Sequence, residues 1–263
     1  MNENLYIRKV ISRYIPKAED LERAKSISLK LYPYIRCWAY PYLSRIDIVG
    51  SFAKHTNISD NTDIDLFISL KPTLLCPLKE LYKNLADWMR IRGFSVREQN
   101  VSIRVDYEKL HVDLIPGKRN PGLIYDHSIY CNKRDTWAKT NVNKHIGYVK
   151  GFNRTSEIRA IKIWRNLHKL EFPSFYLELS VINALLGSRR AVPFPSSKIF
   201  PNNLQKIFEY LYTDFLDKKI VDPSNSNNII SDDLSKKEKQ AIKDKAFKAY
   251  LASLNSSWNE IIW

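Results

Sequence analysis

The chain has 263 residues, 44% of them hydrophobic, enough for one large domain or two modest ones with substantial cores. No apolar run approaches bilayer-spanning length and residues 1–8 are polar with no signal-like stretch, so a soluble, cytoplasmic protein with no membrane partner is expected. The formal net charge of +14 is spread over both halves of the chain and favours polyanionic partners, nucleotides or nucleic acid.

In chain order, residues 5–15 place Ile7, Val10, Ile11 and Tyr14 at helical spacing, and Pro16 interrupts the pattern. A second helix is predicted over 18–39, with Leu21, Ala24, Ile27, Leu31 and Ile35 on one face and a kink or break at Pro33. Both helices are expected to pack against a sheet. That sheet is read from strands at 45–49 and 63–70, an amphipathic helix over 77–92, and strands at 101–107 and 110–115 joined by a turn at Glu108 and Lys109. After the loop-like Asn120-Pro121-Gly122 and past Thr140, the pattern becomes helical: 155–170, 174–186, 202–215 and 232–254. Pro193, Pro195 and Pro201 mark an extended connection, and the polar patch 223–228 reads as a mobile surface loop. No internal repeat of 20 to 50 residues is apparent.

The chemistry concentrates in residues 50–70. If 63–70 is a strand, its two-residue period puts Asp63 and Asp65 on one face. Two like charges that close are unfavourable without a cation, and hard divalent ions such as Mg2+ prefer oxygen ligands. Gly50 allows the backbone to approach a phosphate, and Ser51 offers a hydroxyl and an amide at a helix start. A Gly-Ser turn alone is mostly structural; ahead of an Asp-x-Asp strand, the functional reading is preferred. A third acid is sought on a neighbouring strand, where Asp106 and Asp113 compete. Asp113 is preferred because it lies in an apolar run, where an unpaired carboxylate is costly to bury. Cys37, Cys76 and Cys131 lack a Cys-x-x-Cys pair, so neither a zinc site nor a disulfide framework is expected. His55, His111, His127, His145 and His168 show no metal-ligand spacing.

A glycine-serine turn, two alternating acids and a later acid on a neighbouring strand resemble the polymerase-beta-type nucleotidyltransferase superfamily. Within it, the sequence resembles the group of 2'-5' oligoadenylate synthases, class I (archaeal-type) CCA-adding enzymes and bacterial cGAS/DncV-like nucleotidyltransferases. The likeness extends to Trp137-Ala138-Lys139-Thr140-Asn141 with His145, to Arg159-Ala160-Ile161-Lys162-Ile163-Trp164, to Pro173-Ser174-Phe175-Tyr176-Leu177-Glu178-Leu179, and to Asp222-Pro223. It implies an α+β fold: a small mixed-sheet catalytic domain over 1–150, an all-helical domain over 151–263, and an active site in the cleft between them. It further implies that Asp63 and Asp65 hold two Mg2+ ions, with Mn2+ an alternative, and that Asp113 holds the one nearer the attacking hydroxyl. Lys162 and Tyr176 would contact the triphosphate, and Thr140 and Asn141 the base or sugar; Trp137 could stack on a base or pack.

Three functions are compared on this basis. The first is template-independent synthesis of a cyclic or short linear oligonucleotide second messenger from NTPs, of the antiphage-signalling kind. The second is nucleotide addition to an RNA 3' end, such as that of tRNA, which the positive charge favours. Activation by a bound nucleic acid would give the same charge under the first. The third, a non-catalytic nucleotide- or RNA-binding module, is disfavoured by the intact Asp63, Asp65 and Asp113.

Overall fold

The computed structural model describes residues 2–59, 63–186 and 199–263. The chain divides into two units. One consists of Pro16–Lys54 and Asn61–Ile146; the other gathers Met1–Ile15, His55–Asp60 and Gly147–Trp263. Residues 60–62 and the connection expected around Pro193 and Pro195 lie outside the described residues. Among the described residues, no helix is long and apolar enough to cross a membrane.

The chain begins with α1 (Glu3–Arg13), which belongs to the second unit, and enters the first through α2 (Ala18–Ala39). Pro33 sits inside α2 without ending it. Then follow β1 (Leu43–Ile48), α3 (Gly50–Lys54), β2 (Ile64–Leu70), α4 (Leu78–Ile91), β3 (Val96–Glu98), β4 (Ile103–Tyr107), β5 (Leu110–Arg119), β6 (His127–Cys131), β7 (Thr136–Thr140) and the start of α5 (Val142–Gly151). The sheet is seven-stranded, in the order β1-β2-β5-β4-β3, with β6 pairing β5 and β7. Only β2 and β5 run parallel among these pairs.

The two-residue period of a strand sorts β2 cleanly. Ile64, Leu66, Ile68 and Leu70 are fully buried and join one core with Ala24, Ile27, Leu31 and Ile35 of α2 and Leu81, Leu85 and Met89 of α4. Spacing of four residues puts the α4 trio on one stripe, and Gly93, at positive φ, donates its N–H to the Arg90 carbonyl as the helix ends. The alternate residues of β2, Asp65, Phe67 and Ser69, are left for the opposite face.

Strand β5 is longer than predicted. Its pairing with β4 covers Leu110 to Leu114 and its pairing with β6 covers Gly117 to Arg119. Pro116, which has no N–H to offer, stands where one neighbour gives way to the other, so it does not stop the strand. The β6–β7 hairpin takes up Trp137 to Thr140, which sequence assigns only to the approach to the helices.

The second unit is built from α1, α6 (Thr155–Leu167), α7 (Ser174–Ala184), α8 (Ile199–Thr213), a hairpin of β8 (Val221–Asp222) and β9 (Asn225–Ile229), and α9 (Lys236–Leu254). Three expectations are corrected here. Helix α1 buries Ile7, Val10 and Ile11 among Ile161, Trp164, Phe208 and Ile262, so it belongs to this core and not to the sheet. The unit is also not all-helical, because β8 and β9 pair. The patch expected to be a mobile loop is this hairpin: the buried Asp222 carboxylate accepts from the Ser224 amide at 2.7 Å, its hydroxyl at 2.8 Å and the Asn228 amide at 3.1 Å. Polar composition reads as a loop, but here the polar side chains bond locally and fix the turn.

Candidate active site

Three adjacent strands carry the site. Asp65 on β2 is the register partner of Asp113 on β5, and Asp113 is the register partner of Arg104 on β4. Register partners on neighbouring strands point to the same side, so the three share the face opposite the helix-covered core. Asp63 lies one residue before β2 rather than within it.

The Arg104 guanidinium joins two of these acids. Its Nε donates to Asp113 Oδ1 at 2.9 Å and its Nη2 to Asp113 Oδ2 at 2.9 Å, a two-pronged grip. The same Nη2 donates to Asp63 Oδ2 at 2.5 Å. Gln99 Nε2 adds a further donor to Asp113 Oδ1 at 3.0 Å. Side-chain exposures are 35% for Asp63, 22% for Arg104 and 11% for Asp113, so the cluster has an open side. Burial pushes the Asp63 carboxyl above its ordinary value, against the pull of Arg104 and with a smaller push from Asp113. The hydrogen bonds it donates to the Asp113 carboxylate hold the Arg104 guanidinium well above its own ordinary value.

Asp65 is placed by close contact with Gly50. Gly50 has φ +61°, and a Cβ built there would lie 1.7 Å from Asp65 Oδ2. The Val49 amide donates to the Asp65 carbonyl at 2.9 Å, tying the turn to β2. Gly50 is therefore required by the carboxylate beside it, a reason distinct from the phosphate approach read in the sequence. Ser51 is half-buried in α3, which at five residues offers the amides of a single turn.

These residues suit a hard divalent ion by type and by aim: Asp63 and Asp113 converge on one cationic group, with Asp65 alongside on the same face. Among the described residues, no three acid, histidine or cysteine side chains close on a single point. The competing acid Asp106 is exposed and bonds His111 Nδ1 at 2.6 Å. Arg104 was not singled out in the sequence; a lone arginine alternating with Ile103 and Val105 looks like any outward strand position.

Farther along the same face, a cavity of about 170 Å³ is lined by Phe67, His127, Tyr125, Arg45, Val142 and Asn143, among others. His127 is buried, and burial lowers its pKa. Its Nδ1 donates to the Tyr125 carbonyl at 2.9 Å, and its Nε2 lies 2.7 Å from Ser69 Oγ. Gly117 leaves room for Phe67: a Cβ there would meet Phe67 Cζ at 2.4 Å. Thr140, the last residue of β7, and Asn141, just before α5, are both buried, and Asn141 Oδ1 accepts from the Lys144 amide at 3.0 Å. Trp137 is exposed on β7.

Lys162 and Tyr176 lie in the core of the second unit. Lys162 Nζ donates to Glu178 Oε1 at 2.7 Å and to Thr56 Oγ1 at 3.0 Å, and the Thr56 hydroxyl donates to Glu178 Oε1 at 2.7 Å. The ammonium and carboxylate side chains are 3% and 0% exposed. Arg159 Nε donates to the Asn57 carbonyl at 3.1 Å, so α6 holds two successive residues of the 55–59 segment. Tyr176 stacks on Phe215 with ring centroids 5.1 Å apart, and burial raises its pKa. The triphosphate role drawn from resemblance is not what this arrangement displays; Lys162 serves as the counter-ion of Glu178. A signal was present in the sequence: Glu178 is the lone charge in an apolar helix and must find a cation.

Lys162→Ala is accordingly expected to destabilise the chain by about 3–5 kcal/mol, because it strands a buried carboxylate. Lys162→Met combined with Glu178→Leu should recover much of that loss. Urea denaturation measures both, and a single-variant loss below about 1 kcal/mol, the scale of an exposed pair, would remove the structural assignment.

A scan of protein-family models gives no match, and no curated protein matches the chain. Solved structures do. The structure of E. coli MS115-1 CdnC with ATP matches at 25% identity and TM-score 0.74, over 93% of this chain and 90% of that one. The Bradyrhizobium diazoefficiens CD-NTase CdnG in complex with GTP matches at 13% identity and TM-score 0.73, over 94% and 93%. Elizabethkingia meningoseptica CdnE, a cyclic dinucleotide synthase with GTP and Apcpp, matches at 15% identity and TM-score 0.62, over 91% and 92%.

Proposed function

We propose that this chain, whose fold is that of the CD-NTases, is a metal-dependent nucleotidyltransferase that joins NTPs into a cyclic or short linear oligonucleotide. The observation that carries the reading is the convergence of Asp63 and Asp113 on one cationic group beside Asp65, in a fold similar to nucleotide-bound CD-NTases over 93% and 94% of this chain.

Asp63, Asp65 and Asp113 would hold the Mg2+ or Mn2+ ions. When bound, such ions lower the pKa of the attacking hydroxyl and offset the charge of the triphosphate and the leaving pyrophosphate. An acceptor hydroxyl oxygen forms a bond to the α-phosphorus, the bond from that phosphorus to the pyrophosphate oxygen breaks, and the hydroxyl proton is lost to water. Gly50 keeps the Asp65 carboxylate close to the Gly-Ser turn, so that turn and carboxylate meet the same phosphates. Gln99 and the β-ladder hold Asp113. Thr140 and Asn141 are assigned to the base or sugar, next to the cavity lined by Phe67 and Asn143.

Addition to an RNA 3' end is the second reading, favoured by the net charge of +14. One incubation separates the two: purified protein with four labelled NTPs and Mg2+ or Mn2+, with and without tRNA. Small phosphatase-resistant products formed without RNA are expected. Label found only on RNA would favour the second reading, and no incorporation at all would leave a binding module.

A further inference from the structure

Arg104 makes three hydrogen bonds to two carboxylates that have been assigned to metal binding, and its place there is built into the fold. Its Cα is held opposite that of Asp113 by the β4–β5 ladder. Both Asp113 oxygens accept from it, and its Nη2 reaches across to Asp63. A guanidinium and a divalent ion on the same two carboxylates repel one another, so each weakens the other's hold. At 22% side-chain exposure and on a long stem, Arg104 has solvent to move into.

We infer that Arg104 is the resident counter-ion of this site and that divalent-ion binding is an exchange. The ion takes the Asp63 and Asp113 oxygens as the guanidinium withdraws, and the freed guanidinium then pairs with the anionic oxygens of the incoming triphosphate. Metal occupancy is thereby coupled to nucleotide: the bare ion binds weakly against Arg104, and the ion with a triphosphate binds well because both positive groups find partners. The inference rests on the assignment of Asp63 and Asp113 as metal ligands.

The test is Mn2+ binding to the full chain followed by electron paramagnetic resonance, with and without a non-hydrolysable NTP analogue. Arg104→Met is expected to bind Mn2+ alone about 10-fold more tightly than the wild type, the gain from losing one nearby positive charge, and to gain less from added analogue. Mn2+ affinity that is unchanged or weaker in Arg104→Met would overturn the exchange and make Arg104 a group that shapes Asp113 for the metal. Should that variant fail to fold, Arg104→Lys carries the test. It keeps the charge but loses the fork, so a smaller tightening is expected and none would overturn the inference. Mn2+ affinity is read without turnover. A chain that makes no product can still show exchange, and a chain that makes product with unaltered Mn2+ affinity loses this inference alone.

Discussion

Asp63→Asn is expected to give a folded protein that has lost nucleotidyl transfer by at least about 1,000-fold, equivalent to about 4 kcal/mol of transition-state stabilisation. The substitution keeps the shape of the side chain and removes its charge. Stability should change little, within about 1 kcal/mol, because Asp63 is partly exposed and stands outside the β2 ladder. Relief of a carboxyl whose burial already disfavours its charged form acts in the same direction. Product formation from labelled NTPs and a thermal melt measure the two effects together. Activity within tenfold of wild type would remove Asp63 from the metal site.

Gly50→Ala should fail differently, in both stability and activity. A left-handed backbone costs an L-residue about 1–2 kcal/mol, and the new Cβ would lie 1.7 Å from Asp65 Oδ2, far inside any non-bonded contact. Something has to shift. β2 is held on both sides, by β1 and β5, so the Asp65 carboxylate is the part that turns away. A loss of activity of about 100-fold is expected from one displaced charged group, together with a lower melting temperature. Gly122→Ala is the matched control: it also has positive φ but nothing within 4 Å of the added Cβ, so it bears the backbone cost alone. If the two variants retained equal activity, the contact between Gly50 and Asp65 would have no catalytic consequence.

The parts of this fold that were legible in the sequence are those whose signal is local. The alternation of Asp65, Phe67 and Ser69 with Ile64, Leu66, Ile68 and Leu70 is a strand with two unlike faces, and it was readable as such, one residue longer at Asp63 than the strand that forms. The stripe of Leu81, Leu85 and Met89 gave α4 in the same way. What was hidden depended on partners far along the chain. Arg104 is an ordinary strand residue until β4 is laid beside β5. Helix α1 is amphipathic either way, and only the assembled core shows that its stripe is covered by α6 and α8. Lys162 lies between Arg159 and Arg165 in sequence, where resemblance assigns it to the triphosphate and the bland alternative is a solvated face; neither reading places it in a core. Its burial follows from Glu178 and Thr56, which no local pattern connects to it.

The membership of the second unit bears on how the protein is made. Its core draws Ile7, Val10 and Ile11 from α1, Ile58 from the segment before β2, and Ile261 and Ile262 from beyond α9. Tyr6 and Tyr14 donate to the carbonyls of Ile262 and Trp263. During vectorial synthesis α1 emerges with an apolar stripe that packs on α6 and α8, more than a hundred residues later, while the strands of the sheet unit have their partners within a shorter stretch. Long loops must close before those contacts form, which slows folding and lengthens the exposure of the stripe. The sheet, with its carboxylates, is thus able to assemble first, and the helical unit closes only once Ile261 and Ile262 have emerged.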